Sequence, residues 1–213
     1  MSDRNLELQS TGDIWPPEVR DRSAWYGSDL VDRGDWIEHL SDSEIAEVEY
    51  AARGLEQSLN DLVSLASSDV PLPTLGPRLS HLLDEVLHGR GFVLIKGLPI
   101  GSWTKRKAAL AFLAISVHLG NLRMQNAQGH LLGHVRDLGR SSDDPNTRIY
   151  QTRERQTHHT DSCDVVGLLC LRPAKSGGLS SLVSSTTIFN EIRRRRPDLL
   201  RVLLAPIETD RRG

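Results

Sequence analysis

Hydrophobic residues recur at helical intervals in three stretches of the first 120 residues. The first stretch begins at Ser41, whose spacing from Glu44 is that of a capping box. The second precedes Gly89, which can end a helix, and the third runs from about Trp103 to His118. The pattern predicts three amphipathic helices, with apolar positions at Ile45, Val48, Ala52, Leu55, Leu59 and Leu62, then at Leu79, Leu82, Leu83, Val86 and Leu87, then at Leu110, Leu113 and Val117.

Short apolar runs predict strands in the rest of the chain. The main predicted strand, residues 164–171, is apolar at both alternating sets of positions, which is typical of a strand covered on both faces. The other predicted elements are strands at residues 91–98 (buried), 131–138 and 180–184, and helices at residues 186–193 and from Pro197 onward. Helices that come first and are followed by strands with helical insertions favour an α+β fold over alternating βαβ units.

Length and charge limit the classes of function. The 213 residues suffice for one domain with a core, and 26 basic against 28 acidic side chains give a net charge of -2. This balance provides no field for gathering nucleic acid or an anionic membrane. Residues 1–35 are polar and predict an arm laid over a domain at residues 36–213. Because no signal peptide and no run of ~18 apolar residues is visible, we expect a cytoplasmic protein.

Residues 156–185 carry the candidate chemistry. His159 and Asp161 are two positions apart, so on a strand their side chains would project from the same face. One imidazole and one carboxylate supply two of the three ligands of a 2-His-1-carboxylate iron site, which leaves positions open for an oxoacid and dioxygen. The spacing by itself is weak evidence, since such pairs also arise by chance. A surface loop with a helix-capping aspartate is the alternative.

The whole stretch, rather than the pair alone, resembles the TauD/TfdA family of Fe(II)- and 2-oxoglutarate-dependent dioxygenases. The H-T-D triplet is followed by the apolar strand, then by the K-S-G-G run at residues 175–178 and by the hydroxyl residue Ser180. Upstream, residues 89–99 are similar to the family's early strand, and residues 36–47 to its N-terminal region. The resemblance implies a double-stranded β-helix, or jelly roll, with flanking N-terminal helices.

The resemblance also implies roles for three residues. His159 and Asp161 would be iron ligands, and Ser180 would be the hydroxyl, more often threonine in the family, that donates to a carboxylate of 2-oxoglutarate. The implied reaction hydroxylates a small-molecule substrate while 2-oxoglutarate is decarboxylated to succinate. The alternative for Ser180 is an ordinary strand hydroxyl, and the glycines at 177 and 178 are expected to form a turn that needs positive φ.

No histidine occurs after His159, although the family's third ligand and its 2-oxoglutarate-binding arginine lie well beyond the glycine pair. Too few residues follow Asp161 to complete eight strands. We therefore expect an incomplete double-stranded β-helix, the truncated N-terminal part of a dioxygenase domain, that is inactive by itself. The alternative is a non-catalytic binding or regulatory module, because an open barrel presents unpaired edges and apolar faces. The sequence does not indicate an oligomeric state.

Three other features have simpler interpretations. A zinc site built from His158, His159 and Cys163 lacks an evident fourth ligand. The arginine run at residues 193–196 predicts a solvated helix end rather than an anion-binding patch. Cys163 and Cys170 are seven positions apart, so within a strand they would face opposite ways and could not bridge, which favours a reducing compartment.

Overall fold

The computed structural model describes residues 16–57, 62–126, 128–144 and 147–208. In this part of the chain the regular elements are α1 (Asp42–Gln57), α2 (Leu75–His88), α3 (Lys105–Ser116), α4 (Ser185–Arg195), α5 (Pro197–Leu203), β1 (Ile37–His39) and β2 (Leu94–Lys96). Short 3-10 helices occur at Gly27–Asp29, Ser67–Asp69, Ile100–Ser102 and Ile149–Gln151. The predicted apolar position Leu59 and residues 1–15 of the predicted arm lie outside the described residues.

The first helix starts as its sequence predicts. The Glu44 carboxylate accepts a hydrogen bond from the Ser41 backbone N–H at 2.8 Å, and the Ser41 hydroxyl accepts one from the Glu44 N–H at 3.3 Å. These are the reciprocal bonds of a capping box, and they satisfy two amide donors that have no partner within the helix. The predicted start of α1 is therefore confirmed.

The main hydrophobic core lies where α1 packs against α3, with α2 and the segment before it closing one side. Leu75 and Leu79 of α2 and Val48 of α1 have no exposed surface. The buried members of this core are Leu40, Val48, Ala51, Ala52, Leu55, Val70, Leu72, Leu75, Leu79, Leu110, Ala111, Ala114, Ile115 and Val117. The three predicted N-terminal helices are thus confirmed, and their apolar faces meet one another.

A side chain of α1 caps the start of α2. The hydroxyl of the N-cap residue Thr74 makes no capping bond. Instead, the Glu47 carboxylate accepts from the Thr74 N–H at 2.9 Å and from the Leu75 N–H at 3.0 Å. Burial pushes the pKa of Glu47 up, but the bonds from these two amides outweigh it and hold the pKa below its ordinary value. A negative charge at this position also suits the positive end of the helix dipole.

The sheet is smaller and more exposed than predicted. β1 and β2 run parallel, with Ile37 opposite Leu94 and His39 opposite Lys96. β2 occupies three of the eight residues predicted for this strand, and Leu94 is 40% exposed, so the prediction of a buried strand at residues 91–98 is wrong. β1 was not predicted, because its three residues stand next to the capping box and lack a strand-length apolar alternation.

Three predicted strands, at residues 131–138, 164–171 and 180–184, are irregular in the structure. In the main one, Val166 is 53% and Leu168 77% exposed, which contradicts the prediction that both faces are covered. A strand exists only through hydrogen bonds to a neighbouring strand, and within the described residues none pairs with this segment. At Gly167 the segment approaches α3, since an added Cβ would lie 3.1 Å from Cζ of Phe112.

The mixture of helices and strands that defines the predicted α+β class is confirmed. The double-stranded β-helix is not: the described residues contain one two-stranded sheet. The two late helices are confirmed as α4 and α5, and Pro197 occupies the first turn of α5 as predicted.

Residues 16–26, here called the arm segment, lie against α4. The Ser184 hydroxyl donates to the Ser23 carbonyl at 2.5 Å. The Asn190 side chain bonds both backbone groups of Val19, accepting from its N–H at 3.0 Å and donating to its carbonyl at 2.7 Å. Side chains of the arm segment contribute as well, since the Ser23 hydroxyl donates to Thr186 Oγ1 at 2.9 Å and the Tyr26 hydroxyl donates to Glu191 at 2.6 Å.

Trp25 extends this contact to the segment that enters β2. The Thr187 hydroxyl of α4 donates to the Trp25 carbonyl at 2.8 Å. The Trp25 indole N–H donates to the Arg90 carbonyl at 2.9 Å, and its ring meets Phe92 edge-on at a centroid distance of 5.4 Å. The arm segment therefore joins α4 to the residues that precede β2.

Candidate functional site

His159 lies in an irregular segment, and both of its ring nitrogens have partners close by in the chain. Its Nδ1 is 2.8 Å from the Thr157 carbonyl oxygen, and its Nε2 is 3.1 Å from Nε2 of Gln156. A carbonyl oxygen can only accept, so Nδ1 carries the proton, and the neutral imidazole keeps its lone pair on Nε2. A ring N–H held by a backbone carbonyl, with the other nitrogen left to bind, is the arrangement usual for metal-binding histidines.

Asp161 offers an open carboxylate two positions later. It is exposed, and no described residue forms a hydrogen bond or an ion pair with its side chain. The predicted strand geometry does not place it beside His159, because the segment is irregular. The two residues nevertheless stay near each other, since two residue steps span at most about 7 Å between Cα atoms.

Ser180 follows a turn built on the glycine pair. Gly177 has φ 68° and Gly178 φ 69°, both in the left-handed region, which confirms the turn predicted for them. At Gly178 an added Cβ would also lie 2.7 Å from Cβ of Ala174, so a side chain is excluded there by contact as well as by conformation. Ser180 itself is exposed, and its hydroxyl has no hydrogen-bond partner within the described part of the chain.

The described residues do not assemble a complete metal site. No group of three or more His, Cys, Asp or Glu side chains in this part of the chain is placed to hold a metal ion. The zinc alternative of His158, His159 and Cys163 is therefore not assembled there. Cys163 and Cys170 are free thiols, and both are exposed.

The arginine run at the end of α4 is engaged in local contacts. Arg193 donates to the Pro16 carbonyl at 2.9 Å, and Arg194 pairs with Glu191 at 2.6 Å. The bond from Arg194 is the main cause that lowers the pKa of Glu191 below its ordinary value. Arg195 also pairs with Glu191 at 2.6 Å. These guanidinium groups are bound to neighbouring oxygens in the structure.

Sequence reasoning did not identify Gln156 and Thr157, which hold the His159 ring. Thr157 acts through its backbone carbonyl, a group that every residue carries, so its side chain gives no signal. A glutamine three positions before a histidine is equally uninformative, because only the local turn brings its amide to the ring.

A family model described as taurine catabolism dioxygenase TauD, TfdA family, matches residues 55–212. The chain belongs to the TauD/TfdA family. The resemblance inferred from residues 156–185 is thereby confirmed, and the matched region includes His159, Asp161 and Ser180. The family has a jelly-roll dioxygenase fold, and its members typically depend on Fe(II) and 2-oxoglutarate.

Two relatives of this TauD/TfdA chain match it along most of its length. It is 29% identical over 202 residues to FR-33289 synthase of Streptomyces rubellomurinus, covering 94% of this chain and 60% of that protein. It is 28% identical over 208 residues to taurine hydroxylase-like protein SAT17 of Stachybotrys chartarum, covering 94% of this chain and 53% of that protein. The chain thus spans little more than half the length of these curated relatives.

The match places the chain in a family of dioxygenases. None of the helices among the described residues is long and apolar enough to cross a membrane.

Proposed function

We propose that this chain is part of an Fe(II)- and 2-oxoglutarate-dependent dioxygenase that hydroxylates a small-molecule substrate. The observation that carries the proposal is the His159 ring, whose Nδ1–H is held by the Thr157 carbonyl so that Nε2 keeps its lone pair. Asp161 adds a carboxylate without a partner in the described residues, two positions further on. One neutral imidazole and one carboxylate are two of the three donors of the facial Fe(II) site.

In this proposal each residue of the chain has a defined task. His159 binds through Nε2, and the Thr157 carbonyl keeps the ring in the tautomer that makes this nitrogen a donor. Asp161 supplies negative charge to the cation. Ser180 donates its hydroxyl hydrogen to a carboxylate of 2-oxoglutarate. Fe(II) held by these residues would supply the activation of dioxygen, the oxidant of the overall reaction, in which one oxygen atom would enter the substrate and the other succinate, with release of CO2.

The donor set is incomplete, since the described residues contain no group of three or more His, Cys, Asp or Glu side chains placed to hold a metal ion. We therefore expect the 213-residue chain alone to bind Fe(II) weakly and to form no succinate above background. Succinate formation that depends on Fe(II) and is lost in His159→Ala would show that a complete site forms in this chain.

The ligand roles are tested by titrating the purified chain with Co(II), a spectroscopic substitute for Fe(II), and following the visible absorption of the bound ion. We expect His159→Ala and Asp161→Ala each to weaken binding on the order of 100-fold, since each removes a direct ligand. His158→Ala is the matched control, because it removes the adjacent exposed imidazole. If His158→Ala weakens binding as much as His159→Ala does, the assignment of His159 is wrong.

One observation favours a second function, that of a non-catalytic binding module. Leu168, Leu179 and Leu182 are 77%, 93% and 62% exposed, and exposed apolar surface favours association. Sedimentation velocity over a range of concentrations tests this function. Assembly that weakens in Leu168→Ser/Leu182→Ser supports it, whereas a monomer at every concentration, in a chain that still binds Co(II) through His159, argues for the dioxygenase.

A further inference from the structure

The nitrogen of His159 that the proposed function assigns to the metal already has a partner. Nε2 of Gln156 lies 3.1 Å from Nε2 of His159, and because Nδ1 carries the ring proton, the Gln156 amide is the donor and the imidazole lone pair the acceptor. The lone pair that would bind a metal ion is therefore occupied by an amide hydrogen.

We propose that Gln156 guards the metal-binding nitrogen of His159, so that its side-chain amide must leave before a metal ion can bind. The inference rests on the proposed role of His159 as a ligand. It assigns Gln156 a regulatory part at this site, as a positioning residue that sets how readily the metal enters.

The geometry supports a guard rather than a fixed structural bond. Gln156 is exposed, and no other hydrogen bond of its side chain is present within the described part of the chain. Its amide can therefore rotate into solvent without breaking a second contact. The Thr157 carbonyl, by contrast, is backbone, and it keeps Nδ1–H in place when the Gln156 amide moves away.

The two proposed ligands consequently differ in how freely they can bind a metal ion. Asp161 is exposed and has no partner in the described residues, so it can meet a cation at once. His159 can follow only after the Gln156 amide has left Nε2. We therefore expect the metal ion to be bound first by the Asp161 carboxylate and then by the His159 imidazole.

The expected size of the effect follows from the strength of one neutral hydrogen bond. Such a bond adds a modest net stabilisation in water, so removing the competitor should tighten metal binding about threefold to tenfold. A bond of this strength delays metal entry without preventing it.

The hydrogen bond is tested first, in the metal-free chain, by recording the nitrogen-15 chemical shifts of the His159 ring in mildly alkaline buffer. Gln156→Met removes the donor and nearly keeps the side-chain length. We expect the Nε2 signal to shift toward that of a free lone pair, while the Nδ1 signal stays that of a protonated nitrogen. An Nε2 signal that is unchanged in Gln156→Met shows that no such bond exists and overturns the proposal.

The competition is tested by Co(II) titration of the same variant. We expect Gln156→Met to bind Co(II) threefold to tenfold more tightly than the parent chain. Gln128→Met is the matched control, because Gln128 is also exposed and its side chain makes no hydrogen bond with the described residues. Equal affinity of the parent chain and Gln156→Met overturns the guard, as does the same gain in Gln128→Met.

His159→Ala separates failure of this inference from failure of the proposed function. If His159→Ala leaves Co(II) binding unchanged, or if the parent chain shows no Co(II)-induced change at the His159 ring, His159 is not a ligand and both proposals fall. If His159→Ala abolishes binding while Gln156→Met equals the parent chain, the ligand assignment stands and only the guard is wrong.

Discussion

Two regions of this molecule contain similar apolar side chains, which are buried in one region and exposed to solvent in the other. In the helical region, here residues 37–57 and 62–118, Val48, Leu75 and Leu79 are fully buried. In the site segment, residues 156–183, Leu168 is 77% and Leu179 93% exposed. Helices close their backbone hydrogen bonds within one stretch of chain, whereas strands need partners from another stretch. An apolar run is therefore buried locally only when its element can form without distant partners.

The largest effect that tests this contrast is expected in the core of the helical region. Leu79→Ala removes a fully buried side chain of α2 and leaves a cavity, so we expect the free energy of unfolding to fall by about 2–5 kcal/mol. Urea denaturation followed by circular dichroism measures it. A loss below about 1 kcal/mol would mean that α2 does not contribute to the main core as described.

An intermediate effect is expected where one helix caps another. Glu47→Ala removes the acceptor of the Thr74 and Leu75 amides, and we expect a loss of about 1–2 kcal/mol at neutral pH. Asp84→Ala is the control, because Asp84 is an exposed carboxylate of α2 without a partner in the described residues. A loss equal to that of the control would show that the cap does not stabilise the helical region.

The contribution of Glu47 has a defined pH dependence. Its pKa in the folded chain lies below the ordinary value of 4.5, so the cap stabilises fully above about pH 4.5 and is lost as the pH falls through the lowered pKa. The difference in stability between the parent chain and Glu47→Ala should be constant from neutral pH downward and shrink only in acid. A difference that grows on acidification would contradict the lowered pKa.

The smallest effect is expected in the site segment. Leu168→Ser changes an apolar side chain that is already in solvent, so we expect the free energy of unfolding to change by less than about 0.5 kcal/mol. The same urea titration as for Leu79→Ala checks this, and the pair of variants measures the contrast directly. A loss comparable with that of Leu79→Ala would show that the site segment is packed.

The helices could be predicted from sequence because their signals are local. The capping box at Ser41 and Glu44 and the proline at the start of α5 both lie where the structure begins a helix. The strand at residues 164–171 could not be predicted reliably in this way. Its apolar positions indicate which faces should be buried, but they do not indicate whether a neighbouring strand is present to pair with it. The three residues of β1 are too few to show the alternation of apolar and polar positions by which a strand is recognised.

In the candidate site, too, local features could be predicted from sequence, whereas side-chain contacts could not. The positive φ of Gly177 and Gly178 followed from residue type, and the family was recognisable from the order of its motifs. The roles of His159, Asp161 and Ser180 remain proposals. The contacts of the His159 ring with Thr157 and Gln156 depend on one local turn, which sequence spacing does not specify.

The contact between the arm segment and α4 joins residues that are far apart along the chain. Val19 and Asn190 are separated by 171 positions, and Ser23 and Ser184 by 161. Closing a loop of this size costs about 2.5 kcal/mol more in chain entropy than closing one of about 10 residues. On the ribosome the arm segment must wait on the order of 10 to 30 s after its own synthesis before α4 exists to receive it. During that interval Trp25 can already contact Arg90 and Phe92, whereas the bonds of Val19 and Ser23 form only once α4 has been made.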